Sequence, residues 1–134
     1  MGKTRASAAS AGITLDIGAL IALDRGDKRM IALLQQVLAR GCTFRVPSGV
    51  LVQSWRNGRV QATLARFLRA EVVEIVPLDE QLARSCGELC SATNTSDIID
   101  ASVVILARAR RDTTVTSDPD NLRRLDPAAP ILAV

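Results

Sequence analysis

Three aspartates that lie far apart in the sequence occupy positions where a carboxylate could do chemistry. Asp16 closes a short apolar run, Asp100 begins an almost unbroken apolar stretch, and Asp118 follows a strand-like segment. Asp118 also suits a structural role, because an aspartate before Pro119 is a good helix N-cap. Asp100 needs a partner, since a buried unpaired carboxylate is costly, and an ion, an arginine or a cap hydrogen bond would each serve.

If these three aspartates converge in the folded chain, with Asp97 and Asp120 nearby, their chemistry can be inferred from their charge. Two carboxylates at about 4 Å repel by roughly 4 kcal/mol at an effective dielectric of about 20, so an ionised cluster needs a cation. A set of hard oxygen ligands favours Mg²⁺ or Mn²⁺, and such ions activate water and bind phosphate, which indicates phosphodiester hydrolysis. The hydroxyls of Thr116 and Ser117 could assist at the site, or could simply satisfy local backbone groups.

The composition narrows the possible mechanisms. The chain of 134 residues has no histidine, which excludes histidine-based nucleophilic catalysis and histidine metal ligands. Its three cysteines lack zinc-site spacing and predict core thiols in a reducing cytosol, so we expect a cytoplasmic protein. A net charge of +3 is compatible with a polyanionic partner, whereas the 2% aromatic content argues against a base-stacking platform.

The elements that must position the aspartates alternate between strand and helix. This pattern predicts an α/β fold, a small parallel sheet of about five strands with helices on both faces. In such sheets the ligand site lies beyond the carboxyl ends of the strands, where Asp16 and Asp118 would meet. We expect Gly18 to form a turn after the first strand and Ser48 to cap a helix. The expected strands are 13–15, 43–46, 72–76, 112–116 and 131–134, and the expected helices are 19–23, 31–40, 48–55, 60–70, 79–90, 97–110 and a short one after 117.

The domain organisation is simple. Residues 1–11 are small, polar and basic and predict a flexible N-terminal extension, and residues 12–134 form a single domain. The extension lacks the apolar centre of a secretory signal. No run long enough to span a membrane follows, so we expect no membrane partner.

Four segments in order resemble the PIN domains of VapC-type toxins. They are Leu15-Asp16-Ile17-Gly18-Ala19-Leu20-Ile21-Ala22, the stretch from Val46-Pro47 to Trp55-Arg56, Thr95-Ser96-Asp97-Ile98-Ile99-Asp100-Ala101, and Thr116-Ser117-Asp118-Pro119-Asp120. The resemblance covers nearly the whole chain from about Ile13. It implies a PIN-like fold, a divalent ion held by acidic residues, RNA cleavage, a homodimer and an inhibitory antitoxin.

Asp16, Asp100 and Asp118 match the acidic positions of that family. The family usually carries a glutamate on the helix after the second strand, and Gln53 stands at that place here. A carboxamide offers one neutral oxygen but removes a negative charge and cannot act as a base. Three interpretations follow: a working enzyme with a weakened ion site, a natural pseudo-enzyme that still binds its partner, or a deliberate change that silences a toxic protein.

Basic residues near the predicted site could hold the RNA backbone. Arg25 and Arg56 are the main candidates, and the alternative is ordinary solvated surface charge. An antitoxin would press an apolar segment into a groove, for which the helices around 20–23, 33–34 and 50–55 are candidate walls. Trp55 suits the core or such an interface better than base stacking.

Other enzyme classes fit less well. A haloacid-dehalogenase-like phosphatase needs Asp-x-Asp, but Gly18 occupies the second position, and a receiver domain needs a late lysine, whereas the only lysines are Lys3 and Lys28. The serious alternative is a catalytically weak or inactive PIN-like module that dimerises and binds an antitoxin.

Overall fold

The computed structural model describes residues 12–134. The described chain forms five strands and seven helices in the order expected for an α/β fold. The strands are β1 (Ile13–Leu15), β2 (Phe44–Pro47), β3 (Val73–Val76), β4 (Thr113–Thr116) and β5 (Ile131–Ala133). The helices are α1 (Ile17–Asp24), α2 (Lys28–Ala39), α3 (Ser48–Ser54), α4 (Ala62–Arg69), α5 (Glu80–Thr93), α6 (Ile98–Arg110) and α7 (Pro119–Leu125).

The five strands form one parallel sheet in the order β3-β2-β1-β4-β5. The chain winds outward on one side of β1 through β2 and β3, and then returns to the other side through β4. The strand order therefore reverses between β1 and β4, which is where an open parallel sheet has room for a ligand. The predicted fold class is confirmed.

Helices cover both faces of the sheet because neighbouring residues of a strand point to opposite sides. Phe44 packs edge-on against Phe67 of α4, with ring centroids 5.4 Å apart. The next residue, Arg45, faces the opposite side, where its neighbour Glu74 pairs with Arg110 of α6. The aliphatic core lies on both sides and includes Leu15, Leu20, Val46, Leu64, Val73, Val103, Val115 and Leu122, all at most 2% exposed.

A buried polar network holds the ends of the strands opposite the predicted site. Asp112 accepts hydrogen bonds from the backbone N–H of Gly12 at 2.8 Å, the hydroxyl of Thr14 at 2.8 Å and the guanidinium of Arg45 at 2.6 Å. The side chains of Arg45 and Asp112 are 1% and 0% exposed. Gly12 makes room for this pair, because a Cβ there would stand 2.7 Å from the Arg45 guanidinium.

Three local predictions differ from the structure. Gly18 lies inside the first turn of α1, which begins at Ile17, so no separate turn follows β1. Ser48 is the first residue of α3, and its hydroxyl accepts a hydrogen bond from Leu78 N–H, 3.2 Å away, and does not cap the helix. Helix α5 continues to Thr93, three residues beyond the expected end at residue 90. No helix within residues 12–134 is long and apolar enough to cross a membrane.

Candidate functional site

A cavity of about 260 Å³ opens at the carboxyl ends of β1 and β4, where the strand order reverses. Six of the residues predicted from the sequence line it together: Asp16, Gln53, Asp97, Asp100, Ser117 and Asp118. The remaining lining residues are Ile17, Asn121 and Leu122. The topology of the sheet therefore gathers carboxylates that are separated by up to a hundred residues of sequence.

Asp16 is the most buried carboxylate of the cavity, at 4% exposed. It is the N-cap of α1 and accepts a hydrogen bond from Ala19 N–H at 2.9 Å. Burial raises the pKa of Asp16 above its ordinary value of 3.8, and the charge of Asp118 adds to this effect. Hydrogen bonds from the Thr116 hydroxyl and from the Ala19 and Gly18 amides oppose the rise. The carboxylate is thus held rigidly in a place where its charge is poorly solvated.

Asp97 and Asp100 stand together at the start of α6. Asp97 is the N-cap, and its carboxylate accepts a hydrogen bond from Asp100 N–H at 3.0 Å. Burial raises the pKa of Asp100 to about 7, with further contributions from Asp97 and from the charges of Asp16 and Asp118. The side-chain amide of Asn121 donates a hydrogen bond to the Asp100 carboxylate. Because this amide carries no charge, it does not offset the repulsion among the aspartates of the cavity.

Asp118 caps α7, as the sequence alternative proposed, and it also lines the cavity. Its carboxylate accepts a hydrogen bond from Asn121 N–H at 3.3 Å. Its own backbone N–H donates to the Thr116 hydroxyl oxygen at 2.9 Å. Since that hydroxyl also bonds to the Asp16 carboxylate, the fully buried Thr116 links Asp16 to the backbone of Asp118. Asp118 therefore both caps α7 and belongs to the group of aspartates at the cavity.

Gly18 has a role that the sequence did not reveal. It packs directly against Ser117, and a Cβ at Gly18 would stand 1.8 Å from the Ser117 hydroxyl oxygen. The backbone of Gly18 does not adopt a positive φ. The position therefore needs glycine for close approach between α1 and the loop after β4, and this approach brings the Ser117 side chain to the cavity wall.

Gln53 lies on α3, exposed to solvent at the edge of the cavity. Among the residues that the structure describes, its carboxamide has no hydrogen-bond partner. A group that lines a cavity of carboxylates without a partner of its own is free to contact a bound ligand. The structure thus brings Gln53 to the same cavity as the aspartates.

Three predicted residues lie elsewhere. Asp120 is 87% exposed and pairs with Arg123 on α7, 3.5 Å away. Arg25 follows the far end of α1 and does not line the cavity. The guanidinium of Arg56 folds back and donates to the carbonyl oxygens of Val52 and Trp55, at 3.0 and 2.7 Å.

The cavity fits a divalent cation by its donors and its charge. Its polar lining offers oxygen donors throughout, and no lysine or arginine borders it to offset the four carboxylates. Within residues 12–134, no three acidic or cysteine side chains already stand at the spacing of a metal-binding group. Because Mg²⁺ usually keeps several waters and uses only one or two carboxylates directly, this looser arrangement is compatible with such an ion.

Asn121 is the polar lining residue that sequence reasoning missed. It stands three positions after Asp118, so both face the cavity from the first turns of α7. The sequence pattern that could have indicated Asn121 is a polar residue three positions after a predicted N-cap. That signal was weak, because a solvated helix face shows the same pattern.

A second, apolar cavity of about 520 Å³ lies along α3 and α4. It is lined by Ser48, Leu51, Val52, Trp55 and Leu68. Val52 is 73% exposed there and Trp55 is 37% exposed. Of the groove walls expected from the sequence, the α3 segment lines this cavity, whereas Leu20, Leu23 and Leu34 are buried in the core.

Comparisons with known proteins agree with this architecture. No curated protein sequence matches the chain. Solved structures that share the fold include VapBC2 from Rickettsia felis bound to a DNA fragment from its promoter, and FitAcB from Neisseria gonorrhoeae. VapBC2 matches with a TM-score of 0.69 and 20% sequence identity, covering 91% of this chain and 98% of that chain. FitAcB matches with a TM-score of 0.65 and 17% sequence identity, covering 90% of this chain and 96% of that chain. The sequence profile of the PIN domain matches residues 13–127, and the chain therefore belongs to the PIN domain family.

Proposed function

We propose that the chain is the toxin of a type II toxin–antitoxin pair, a Mg²⁺- or Mn²⁺-dependent endoribonuclease that cleaves RNA phosphodiester bonds. The observation that carries the proposal is the convergence of four aspartates on one cavity without a basic residue among its lining. Burial, together with the neighbouring aspartates, raises the pKa of Asp100 to about 7, so the cavity favours a bound cation. Membership of the PIN family and the toxin–antitoxin complexes with this fold support the nuclease and toxin assignments.

Asp16, Asp100 and Asp118 would hold the cation, with Asp97 beside them. When bound, the ion would supply Lewis acidity toward a phosphate oxygen and toward water. The protein's own contribution is orientation. Thr116 and the α1 amides fix Asp16, the α7 amide fixes Asp118, and the Asn121 amide fixes Asp100. Carboxylates restrained in this way lose little freedom when a ligand binds, which favours reaction over non-productive binding.

Substitution of aspartate by asparagine tests the role of the charges, because asparagine caps a helix as well as aspartate does. We expect Asp16→Asn and Asp118→Asn to fold with caps intact and to lose RNA cleavage in Mg²⁺ or Mn²⁺. The matched control is Asp79→Asn, the same change at the N-cap of α5, which lies outside the cavity. Cavity variants that cleave RNA as fast as the control would contradict the proposal.

The antitoxin is the expected protein partner, and we propose that it docks on the apolar cavity along α3 and α4. An amphipathic segment could insert its apolar side chains beside Leu51, Val52 and Trp55. We also propose a homodimer and action in the cytosol. Light scattering on the isolated chain checks the dimer, and Val52→Asp is expected to weaken antitoxin binding while RNA cleavage is retained.

The alternative function is a catalytically weak or inactive PIN-like module that dimerises and binds an antitoxin. Gln53 favours it, because the residue borders the cavity where the family resemblance calls for a glutamate. The two functions differ in one outcome. A toxin that acts as an enzyme loses cell killing on Asp16→Asn while it still binds its partner, whereas a binding module is unaffected by that change.

A further inference from the structure

The end of the sheet opposite the acidic cavity is rich in arginine. In a parallel α/β sheet each helix ends where the next strand begins, so α2, α4, α6 and α7 all end at the start of β2, β3, β4 and β5. Every one of these helix ends carries arginine. We call the set the arginine pole: Arg40, Arg66, Arg69, Arg108, Arg110, Arg111, Arg123 and Arg124.

Three members of the arginine pole have carboxylate partners in the described chain. Arg108 pairs with Asp126 at 3.2 Å, and Arg110 pairs with Glu74 at 3.1 Å. Arg123 reaches toward Asp120 at 3.5 Å. The other five, Arg40, Arg66, Arg69, Arg111 and Arg124, are exposed and have no ion pair within residues 12–134. The pole therefore carries an uncompensated positive charge.

Helix dipoles alone do not account for this accumulation. A cation at a helix C-terminus gains about 0.3–1 kcal/mol, and one such residue per helix would suffice. Helix α6 ends with three arginines, and Arg111 adopts a left-handed conformation (φ 58°) that glycine would adopt at lower cost. Arg108 and Arg111 also border a cavity of about 520 Å³, whose lining includes Asp112 and Asp126. Asp112 is paired with Arg45 and Asp126 with Arg108, so neither carboxylate is paired with Arg111. A surface with exposed guanidinium groups beside a recess is suited to bidentate contact with phosphate.

The charges are separated along a single helix. Asp97 and Asp100 stand at the start of α6 and Arg108, Arg110 and Arg111 at its end, roughly 20 Å apart for 13 residues. A polyanion is repelled by the carboxylate cavity and attracted by the arginine pole. Attraction between a charged patch and phosphates governs the first encounter with a nucleic acid.

We propose that the arginine pole is a binding site for the RNA backbone, separate from the carboxylate cavity, which holds the substrate while the scissile phosphate reaches that cavity. The RNA identity of the ligand rests on the proposed function, whereas the phosphate chemistry rests on the pole itself. A strand that reaches from one end of α6 to the other needs roughly six nucleotides at a rise of about 3.4 Å per nucleotide. RNA shorter than this span contacts only one of the two sites.

The test measures binding of a labelled single-stranded RNA by fluorescence anisotropy in EDTA, across a series of NaCl concentrations, so that no cleavage occurs. In the pole variant, Arg66, Arg69 and Arg111 are all changed to glutamine. In the matched control, three exposed cations outside the pole, Lys28, Arg29 and Arg59, are changed to glutamine, which gives the same net charge. We expect the dependence of log K on log [NaCl] to become shallower by about two in the pole variant, because each single-strand phosphate contact contributes about 0.7. The control keeps the wild-type dependence.

A variant with lysine at the three pole positions should bind with the wild-type salt dependence, and circular dichroism should show the same melting temperature for all variants within a few degrees. The proposal is overturned if the control loses as much salt dependence as the pole variant, if the pole variant loses none, or if polyglutamate competes as well as RNA. Failure of the proposed nuclease would appear differently, as absence of cleavage in Mn²⁺ by a protein whose RNA binding in EDTA still depends on the pole.

Discussion

Asp100→Asn should stabilise the metal-free protein at pH 8 although it removes a residue proposed to act in catalysis. Burial and the neighbouring aspartates raise the pKa of Asp100 from 3.8 to about 7 in the folded protein. Between these values the folded chain keeps a proton that the unfolded chain has lost, so the free energy of unfolding falls as the pH rises from about 4 to 7. Asparagine does not titrate, so the variant does not lose this free energy of unfolding as the pH rises.

The size of the gain can be bounded. About three pH units at 1.36 kcal/mol each give an upper limit of about 4 kcal/mol above pH 7. Asp100 is only half-buried, and solvent screening reduces this limit to about 1–2 kcal/mol. For a domain of this size the corresponding rise in melting temperature is about 4–8 °C.

The assay is thermal unfolding in EDTA at pH 5 and at pH 8, with and without added Mn²⁺. We expect the Asp100→Asn variant to exceed the wild type at pH 8, to differ less at pH 5, and to gain less from Mn²⁺. Asp79→Asn, the same change at an exposed helix cap outside the cavity, is the matched control for the loss of a capping carboxylate. An asparagine variant that is no more stable than the wild type at pH 8, or equally more stable at both pH values, would refute the electrostatic reasoning.

Three further substitutions test the site and its support. Gly18→Ala should displace Ser117, because the new Cβ would stand 1.8 Å from the Ser117 hydroxyl oxygen. We expect a lower cleavage rate and a loss of about 1–3 kcal/mol in the free energy of unfolding in urea, and an unchanged rate would exclude this packing role. Asp112→Ala should cost about 3–5 kcal/mol in urea unfolding because it leaves the buried Arg45 guanidinium without its closest partner, and a loss below 1 kcal/mol would contradict this. Gln53→Glu should raise divalent-ion affinity and cleavage rate, and equal activity of both proteins across a Mg²⁺ and Mn²⁺ titration would remove Gln53 from the site.

The parts of the site that could be predicted from sequence are those fixed by sheet topology. A carboxylate that follows a buried parallel strand must lie at the carboxyl end of the sheet. Asp16 and Asp118 meet there because β1 and β4 are neighbours. Asp100 follows because the apolar run behind it must pack as a helix against the same strands.

The parts that could not be predicted depend on pairs that no local pattern connects. Arg45 and Asp112 form a buried ion pair across 67 positions, and neither residue looks different from a surface charge in the sequence. Arg56 sits close to Gln53 in sequence, yet its guanidinium turns back onto carbonyl groups at the end of α3. Periodicity assigns a residue to an element and a face, but the rotamer of a long side chain depends on which acceptors are within reach.

Anomalous diffraction from crystals soaked in Mn²⁺ tests the central claim most directly. We expect a manganese peak in the cavity between Asp16, Asp100 and Asp118, and we expect it to disappear in the Asp16→Asn variant. A cavity without anomalous density at saturating Mn²⁺, or manganese bound only elsewhere on the chain, would contradict the proposal that these aspartates form a cation site.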